Sequence, residues 1–383
     1  MIEIKEASDC CGCTACASVC PHGAISMEPD VLGFLYPKVD RNRCVDCGLC
    51  EKVCAFNAQY DKSLNLVQPL AFAARHKDVN EIMKSRSGAV FAAISDYVLE
   101  NNGVVYGVGY KDHFRVAHKR AVTKDERDEF RGSKYVQSDL AGIFCQVKED
   151  LQDNRMVLFS GTPCQTAGLH SFISKRLRGN LLLVDIVCHG VPGPYIWRDF
   201  IAYLEKKQKD RIEYVNFRDK ELFGWNSHRE TFKFTHSGIK KKTFNFSFYN
   251  PFMFRSSCNN CHFANTIRPS DITLADFWGW NKHIEYSINV DNKGVSLVVI
   301  NTEKGKEIWN KTQKELNTVS VNLNNCLQPN MLHPTEEHKD RKGFEELYCK
   351  KGFEVAMRRY GNTRIKRIKQ FIKRFCFAKY VIR

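Results

Sequence analysis

The sequence predicts two unequal parts of the mixed α+β / α/β class: a small cysteine-rich domain, then a larger α/β core. Three observations carry this. Nine of the 17 cysteines lie within the first 54 of 383 residues. Two continuous apolar runs, MVLFS at 156–160 and LLLVDIV at 181–187, each lead through a turn into a helical pattern, as strands of a buried parallel sheet do. Charged residues make up 26% and hydrophobic residues 43%, a globular balance rather than a disordered one. No apolar stretch approaches the roughly 18–20 residues of a bilayer span. The opening MIEIKEASDCC lacks the apolar segment of a secretory signal. A reducing cytoplasmic setting is therefore expected, where so many cysteines point to metal rather than to disulfides.

Residues 1–60 justify the first part. Cys10, Cys13, Cys16 and Cys20 stand at C-x2-C-x2-C-x3-C before Pro21, and Cys44, Cys47, Cys50 and Cys54 repeat the spacing with Ala55 in place of a proline. Thiolates at i, i+3 and i+6 can hold three corners of a [4Fe–4S] cubane, while the fourth cysteine ligates the other cluster. The expected sets are Cys10, Cys13, Cys16 with Cys54, and Cys44, Cys47, Cys50 with Cys20. Zinc is the alternative, but its sites commonly pair one C-x2-C with a distant second pair. Four crowded cysteines, repeated twice, fit a two-cluster ferredoxin-like domain better. Cys11 is left over as a bystander.

The segment 61–70 is polar and irregular and reads as a linker. In 71–150, Val90, Phe91, Ile94, Tyr97 and Val98 share one helical face, and Asn102-Gly103 stops that helix. VVYGVGY follows as a strand, and Thr123 with Glu126 forms a capping box opening a charged helix. In 151–330, MVLFS runs into Gly161-Thr162-Pro163-Cys164 and a helix. LLLVDIV runs into Cys188-His189-Gly190-Val191-Pro192 and a helix from about Pro194. Parallel neighbours present Cys164 and Cys188 at one carboxyl edge, where α/β sheets bind cofactors. RETFKFTHSGIKKKTFNFS reads as a hairpin, and Cys258 and Cys261 add a C-x2-C pair after it. Together these make a four-thiolate site. Three readings compete for it: inert buried cysteines, a structural zinc, or a third [4Fe–4S] cluster, which gains weight from the two upstream. Cys145, Cys326, Cys349 and Cys376 lack ligand spacing and read as structural.

The segments SRSGAVF, RGSKYVQS, LFSGTPCQTAGL, VDIVCHGVPGP, FRDK with a following GW, SSCNNCHFANTIRPSDITLADFWGW and SLVVINTEKG span about 71–325. They resemble the β-subunit family of coenzyme F420-reducing hydrogenases and dehydrogenases, to which plant 7-hydroxymethyl chlorophyll a reductase is also similar. The resemblance implies a flavin-binding core with non-covalent FAD, a [4Fe–4S] cluster beside it, and two-electron chemistry on an organic substrate such as coenzyme F420. It also implies a ferredoxin or a hydrogenase/dehydrogenase-type redox partner. In that family the cysteines of the GTPCQ and CHG motifs and the C-x2-C pair look like cluster ligands, which maps onto Cys164, Cys188, Cys258 and Cys261. A subunit that only wires a partner enzyme is one alternative. Another is a reductase of polysaccharide synthesis acting on a sugar or polyprenyl-linked substrate.

For the flavin, Ser87-Gly88 at a helix start offers N–H groups and a positive dipole end to a phosphate. Gly132, Ser133, Lys134 and Tyr135 add a turn, a cation and an aromatic ring. Gln137, Ser138 and Thr162 supply hydrogen-bonding groups. The alternative is an ordinary helix cap with a surface lysine. No GxGxxG fingerprint opens a βαβ unit, so a Rossmann FAD site is not expected. His189 beside Cys188 reads as a backbone-bonding histidine or a proton donor, and no catalytic residue is assigned.

The segment 331–357 connects to a basic tail, 358–383. That tail holds Arg358, Arg359, Arg364, Lys366, Arg367, Lys369, Lys373, Arg374, Lys379 and Arg383 and no acid, so it contributes +10 to a formal net charge of +15. Ile365, Ile368, Phe371, Ile372 and Phe375 recur at helical spacing. Such a helix suits an anionic membrane surface or an acidic partner, the alternative being a solvated tail. Nucleic acid is not expected, since no recognition motif accompanies the charges.

Overall fold

The computed structural model describes residues 1–58, 61–242, 250–284, 288 and 291–361. The N-terminal module is built on one antiparallel pair, Ile25–Pro29 with Leu35–Val39, in the register Ile25↔Val39 to Pro29↔Leu35. Two short helices, Ala15–Val19 and Leu49–Lys52, carry the cysteine loops.

The core is organised by a mixed eight-stranded sheet. Its strands run in the order Leu316–Val321, Asn65–His76, Ser296–Thr302, Ile272–Asp276, Leu181–Ile186, Val157–Gly161, Val104–Lys111, Arg115–Ala121. The four strands from Ile272–Asp276 to Val104–Lys111 are mutually parallel, and the flanking pairs are antiparallel. Period-two alternation sends side chains to both faces. Leu158, Leu182 and Val184 pack under the helix Val90–Glu100 and against Trp309. Val157, Phe159, Leu181 and Leu183 pack against Phe144 and Val147 of the helix Ile143–Gln152 and against Leu169 of the helix Pro163–Phe172. Each such side chain contributes roughly 1.5–3 kcal/mol when fully buried. Cover on both faces is why the strands read as unbroken apolar runs.

A three-stranded antiparallel sheet, Ile212–Asn216, Glu230–Phe234 and Gly238–Lys242, lies over a third cluster of apolar side chains with Trp197, Phe200 and Phe252. The expected hairpin is present as its last two strands, turning at Gly238 (φ 65°).

Two boundaries differ from the sequence reading. Residues 65–70 of the expected linker belong to the strand Asn65–His76, which sits second from one edge of the sheet, between Leu316–Val321 and Ser296–Thr302. The first half of that strand is only partly covered, so polar residues are tolerated there, while Ala71, Ala73 and Ala74 are buried. The segments 71–150 and 151–330 contribute strands to one sheet, as two parts of one core. The connecting segment is mostly the helix Arg341–Tyr360, broken at Gly352 (φ 75°), whose Phe344, Tyr348 and Phe353 join the core around Trp197. Of the basic tail, Arg358 and Arg359 end this helix; residues 362–383 lie outside the described residues. No helix among the described residues is long and apolar enough to cross a membrane.

Candidate metal centre

The two cysteine loops follow the same backbone course. Gly12 (φ 70°) and Thr14 (φ 66°) flank Cys13, and Asp46 (φ 52°) and Gly48 (φ 71°) flank Cys47. Left-handed residues at matching positions double the chain back, and each loop then enters its short helix. A non-glycine residue held left-handed costs on the order of 1 kcal/mol or more, which persists where the surroundings over-determine the conformation.

The thiols of Cys10, Cys13, Cys16 and Cys54 share one neighbourhood, each acting electrostatically on others of the set. Cys20, Cys44, Cys47 and Cys50 line one cavity. Backbone N–H groups point at the sulfurs: Gly12 to Cys10 at 3.4 Å, Ala24 to Cys20 at 3.3 Å and Ile2 to Cys50 at 3.2 Å. Such donors stabilise ligating thiolates and tune cluster potentials. Burial pushes the thiols of Cys10, Cys16 and Cys54 up, so loading a metal there must release protons. Among the described residues, no three His, Cys, Asp or Glu side chains converge on a single-ion site. A cubane spreads its thiolates over separate irons, whereas a tetrahedral zinc draws all its ligands onto one ion. The donor sets and their N–H partners fit a [4Fe–4S] group.

The second arrangement lies at the carboxyl edge of the large sheet. Parallel pairing of Val157–Gly161 with Leu181–Ile186, through Gly161↔Asp185, brings the two strand ends level. Cys164 follows in the first turn of the helix Pro163–Phe172, capped reciprocally by Thr162 and Gln165. Cys188 lies two residues past its strand. Cys258 and Cys261 come from the turn Ser256–Asn260, which is held to the Cys188 loop by the Pro192↔Phe254 bridge and by Arg255 N–H donating to Val191 O at 3.0 Å. Cys188 feels Cys258, Cys164 and Cys261, and Cys258 feels Cys164 and Cys261. The four therefore share one neighbourhood. Burial pushes Cys258 up to about 12 and Cys261 up to about 11. Cys164 is brought down to about 7, chiefly by a hydrogen bond that the Cys11 thiol donates to it. Arg268 secures the backbone around these cysteines, donating to Asp185 Oδ2 at 2.9 Å, Ile186 O at 3.0 Å and Phe263 O at 2.8 Å.

The two arrangements meet at Cys11. Its buried thiol is shared between Cys13 and Cys164, which places a third sulfur between one cysteine of the module and one of the core. Cys11 is a junction residue, not a bystander. Its neighbour across the chain was invisible from the local spacing. Gly168 faces Cys13 so closely that a Cβ there would come within 2.7 Å of its sulfur. Phe56 of the module stacks on His262 at 4.2 Å between ring centres, and Gln137 Nε2 donates to Cys11 O at 2.9 Å.

The residues expected at the flavin fall in three places. Ser87 Oγ donates to Val295 O at 2.7 Å, and Gly88 N–H donates to Ser296 Oγ at 3.0 Å, so both hold the helix Val90–Glu100 to the sheet. Gly132 and Ser133 form a turn, in which Lys134 Nζ donates to Glu129 O at 2.7 Å and Arg131 O at 2.9 Å; burial lowers this lysine to about 7. Gln137, Ser138 and Thr162 gather near Cys164. There Gln165 Nε2 donates to Ser138 Oγ at 2.9 Å, and Thr162 Oγ1 lies 3.2 Å from Cys164 Sγ. His189 packs its ring on Phe254 at 5.1 Å.

Tyr135 points instead to a group that lies within the sequence motifs but that they do not single out. Its hydroxyl accepts from Arg218 Nη1 at 3.3 Å, and Arg218 pairs with Asp276, the last residue of the strand Ile272–Asp276. Trp225 Nε1 donates to the same carboxylate at 2.8 Å and stacks on Trp278 at 4.6 Å. Lys220 Nζ donates to Ser87 O at 3.2 Å, and burial lowers it to about 7. FRDK, GW and DITLADFWGW contained this signal, but only the fold brings their side chains to one sheet edge. A stacked indole pair beside a buried guanidinium suits a flat ring carrying negative groups.

Comparison with known proteins bears on both arrangements. Residues 154–323 match the family described as the carboxyl-terminal region of the coenzyme F420 hydrogenase/dehydrogenase beta subunit, and residues 9–58 match the 4Fe–4S dicluster domain. No curated protein matches the chain. A chain in the xenon-derivatised F420-reducing [NiFe] hydrogenase complex from Methanosarcina barkeri is similar at 15% identity, covering 78% of this chain and 93% of that one, with a TM-score of 0.42. Residues 154–323 are thus similar to the carboxyl-terminal region of the coenzyme F420 hydrogenase/dehydrogenase beta subunit, behind an N-terminal stretch that matches the 4Fe–4S dicluster domain.

Proposed function

We propose that this iron–sulfur protein is a flavoprotein oxidoreductase, carrying single electrons between a ferredoxin- or hydrogenase-type partner and an FAD site that exchanges electron pairs with an organic substrate. The observation that supports this is the run of cysteines from surface to sheet edge. It begins at the exposed Cys47 with Cys20, Cys44 and Cys50, and continues through Cys10, Cys13, Cys16 and Cys54 to Cys11. It ends at Cys164 with Cys188, Cys258 and Cys261. Each cubane passes one electron at a time. FAD, when bound, supplies the step from single electrons to pairs. The group around Arg218, Trp225, Trp278 and Tyr135 has the chemistry to hold it, with stacked rings for a planar system and Arg218 for anionic parts. Coenzyme F420 is the substrate the family relation suggests; a sugar or polyprenyl-linked substrate is the second candidate.

Protein prepared without oxygen is expected to release FAD on denaturation, and reduced ferredoxin is expected to bleach the bound flavin. Arg218→Gln should lower the flavin retained per chain while leaving iron content unchanged. Full clusters without flavin in the wild type would instead identify a subunit that only wires a partner enzyme.

A further inference from the structure

We infer that Arg255 is a positioning residue whose buried charge is balanced by the iron–sulfur centre on the Cys10 loop, so that it docks the module on the core and raises that centre's reduction potential. The inference rests on the iron–sulfur reading above. Arg255 is 1% exposed. Its Nε donates to Cys10 O at 2.7 Å, Nη1 to Gln137 Oε1 at 3.0 Å and Nη2 to Leu35 O at 2.9 Å, with Nη2 also 3.5 Å from Cys10 Sγ. The guanidinium lies 4.2 Å over the ring of Tyr36 and 5.5 Å from that of Phe34. These partners are carbonyls, an amide, ring faces and a thiol; none is a carboxylate. A buried cation left without a counter-charge is strongly destabilising. The five other arginines buried among the described residues all have carboxylates: Arg75 pairs with Asp291, Arg127 with Asp96, Arg218 with Asp276, Arg268 with Asp185 and Arg341 with Glu345. Arg255 differs in having Cys10 beside it, with Cys11 and Cys258 also within electrostatic range.

A cubane with four thiolates is an anion, and it supplies the missing charge where Cys10 ligates it. Reduction adds one electron to that centre, breaks no bond, and increases its negative charge. A fixed cation in a dry site favours the reduced form, because net charge and hydrogen bonds to the sulfurs set cluster potentials. The same side chain ties three segments together: the cysteine loop through Cys10, the module's hairpin through Leu35, and the core through Gln137. Gly12 has no side chain to displace it, since a Cβ there would come 2.7 Å from Arg255 Nη1. Arg255 thus makes the centre on the Cys10 loop easier to reduce than it would be without the cation, which favours electrons moving inward from the exposed Cys47.

The test is an EPR-monitored redox titration of the oxygen-free full chain, with iron counted on the same samples. Cys47→Ser, which removes a ligand of the outer centre, identifies that centre's signal by its loss. Arg255→Gln is expected to lower the midpoint of the Cys10-loop centre most, that of the sheet-edge centre less, and that of the outer centre not at all. Arg255→Lys keeps the charge and should hold the midpoint near wild type, while backbone hydrogen exchange around Gly12 and Cys13 accelerates. In Arg255→Gln, unmoved midpoints at full iron content would overturn the inference, as would an equal shift at all three centres. If Arg255→Gln loses iron, Arg255→Lys decides: a lowered midpoint of the Cys10-loop centre despite the retained charge, or unchanged exchange around Gly12 and Cys13, would overturn the inference. No [4Fe–4S] signal in the wild type is a separate failure: it removes the iron–sulfur reading itself, and the inference with it.

Discussion

Asp185→Ala is expected to cost about 3–5 kcal/mol of stability, because it strands a buried charge. Asp185 is 0% exposed and its partner Arg268 1% exposed, with Nη2 and Oδ2 2.9 Å apart. Burial pushes this carboxyl up and Arg268 opposes the push. The arginine cannot lose its proton, so without Asp185 it keeps a full charge in the core. The double variant Asp185→Leu/Arg268→Met removes both charges and should recover much of the loss, since an apolar pair of similar volume is often no worse than a buried ion pair. Urea midpoints of the single and double variants are the measurement; equal destabilisation by both would show that the charge itself is unimportant. The single variant should also lose iron from the sheet-edge centre, because Arg268 holds the backbone at Ile186 and Phe263, on either side of Cys188 and Cys261.

Cys54→Ser is expected to remove the centre on the first cysteine loop, although Cys54 belongs to the second repeat. In space it lies with Cys13 and acts on Cys16, while Cys20 of the first repeat lines the cavity of Cys44, Cys47 and Cys50. About four irons per chain should go, since each cubane holds four. The outer centre should still accept an electron, and transfer to the core should stop. If Cys54→Ser emptied the outer cavity and left the inner centre intact, the crossed assignment of ligands would be wrong.

How much of this was legible depended on how local the chemistry is. A cubane needs thiolates at fixed short spacing, so the cysteine repeats declared themselves in the sequence. Unbroken apolar runs likewise announced the strands Val157–Gly161 and Leu181–Ile186, because cover on both faces leaves no room for polar alternation. The strand Asn65–His76 was hidden by its half-exposed first half, whose polar residues look like a linker. Arg255 and Cys11 could not be singled out: the contacts of Arg255 with Cys10 span 245 positions, and the value of Cys11 comes from Cys164 across the fold. Trp225 and Trp278 sit within recognisable motifs, yet nothing in those segments says that their rings stack. Lys134 shows the reverse limit. A lysine in a small turn looked like a phosphate cation, and its ammonium is instead taken by the carbonyls of Glu129 and Arg131.

The central claim is that three iron–sulfur centres line one route through the chain. Iron and labile sulfide counted on oxygen-free full-length protein, beside Cys258→Ser, test it most directly. About twelve of each per chain, falling to about eight in the variant, is the predicted result. About eight of each in both proteins would contradict the sheet-edge centre, and stoichiometric zinc in place of iron would contradict all three.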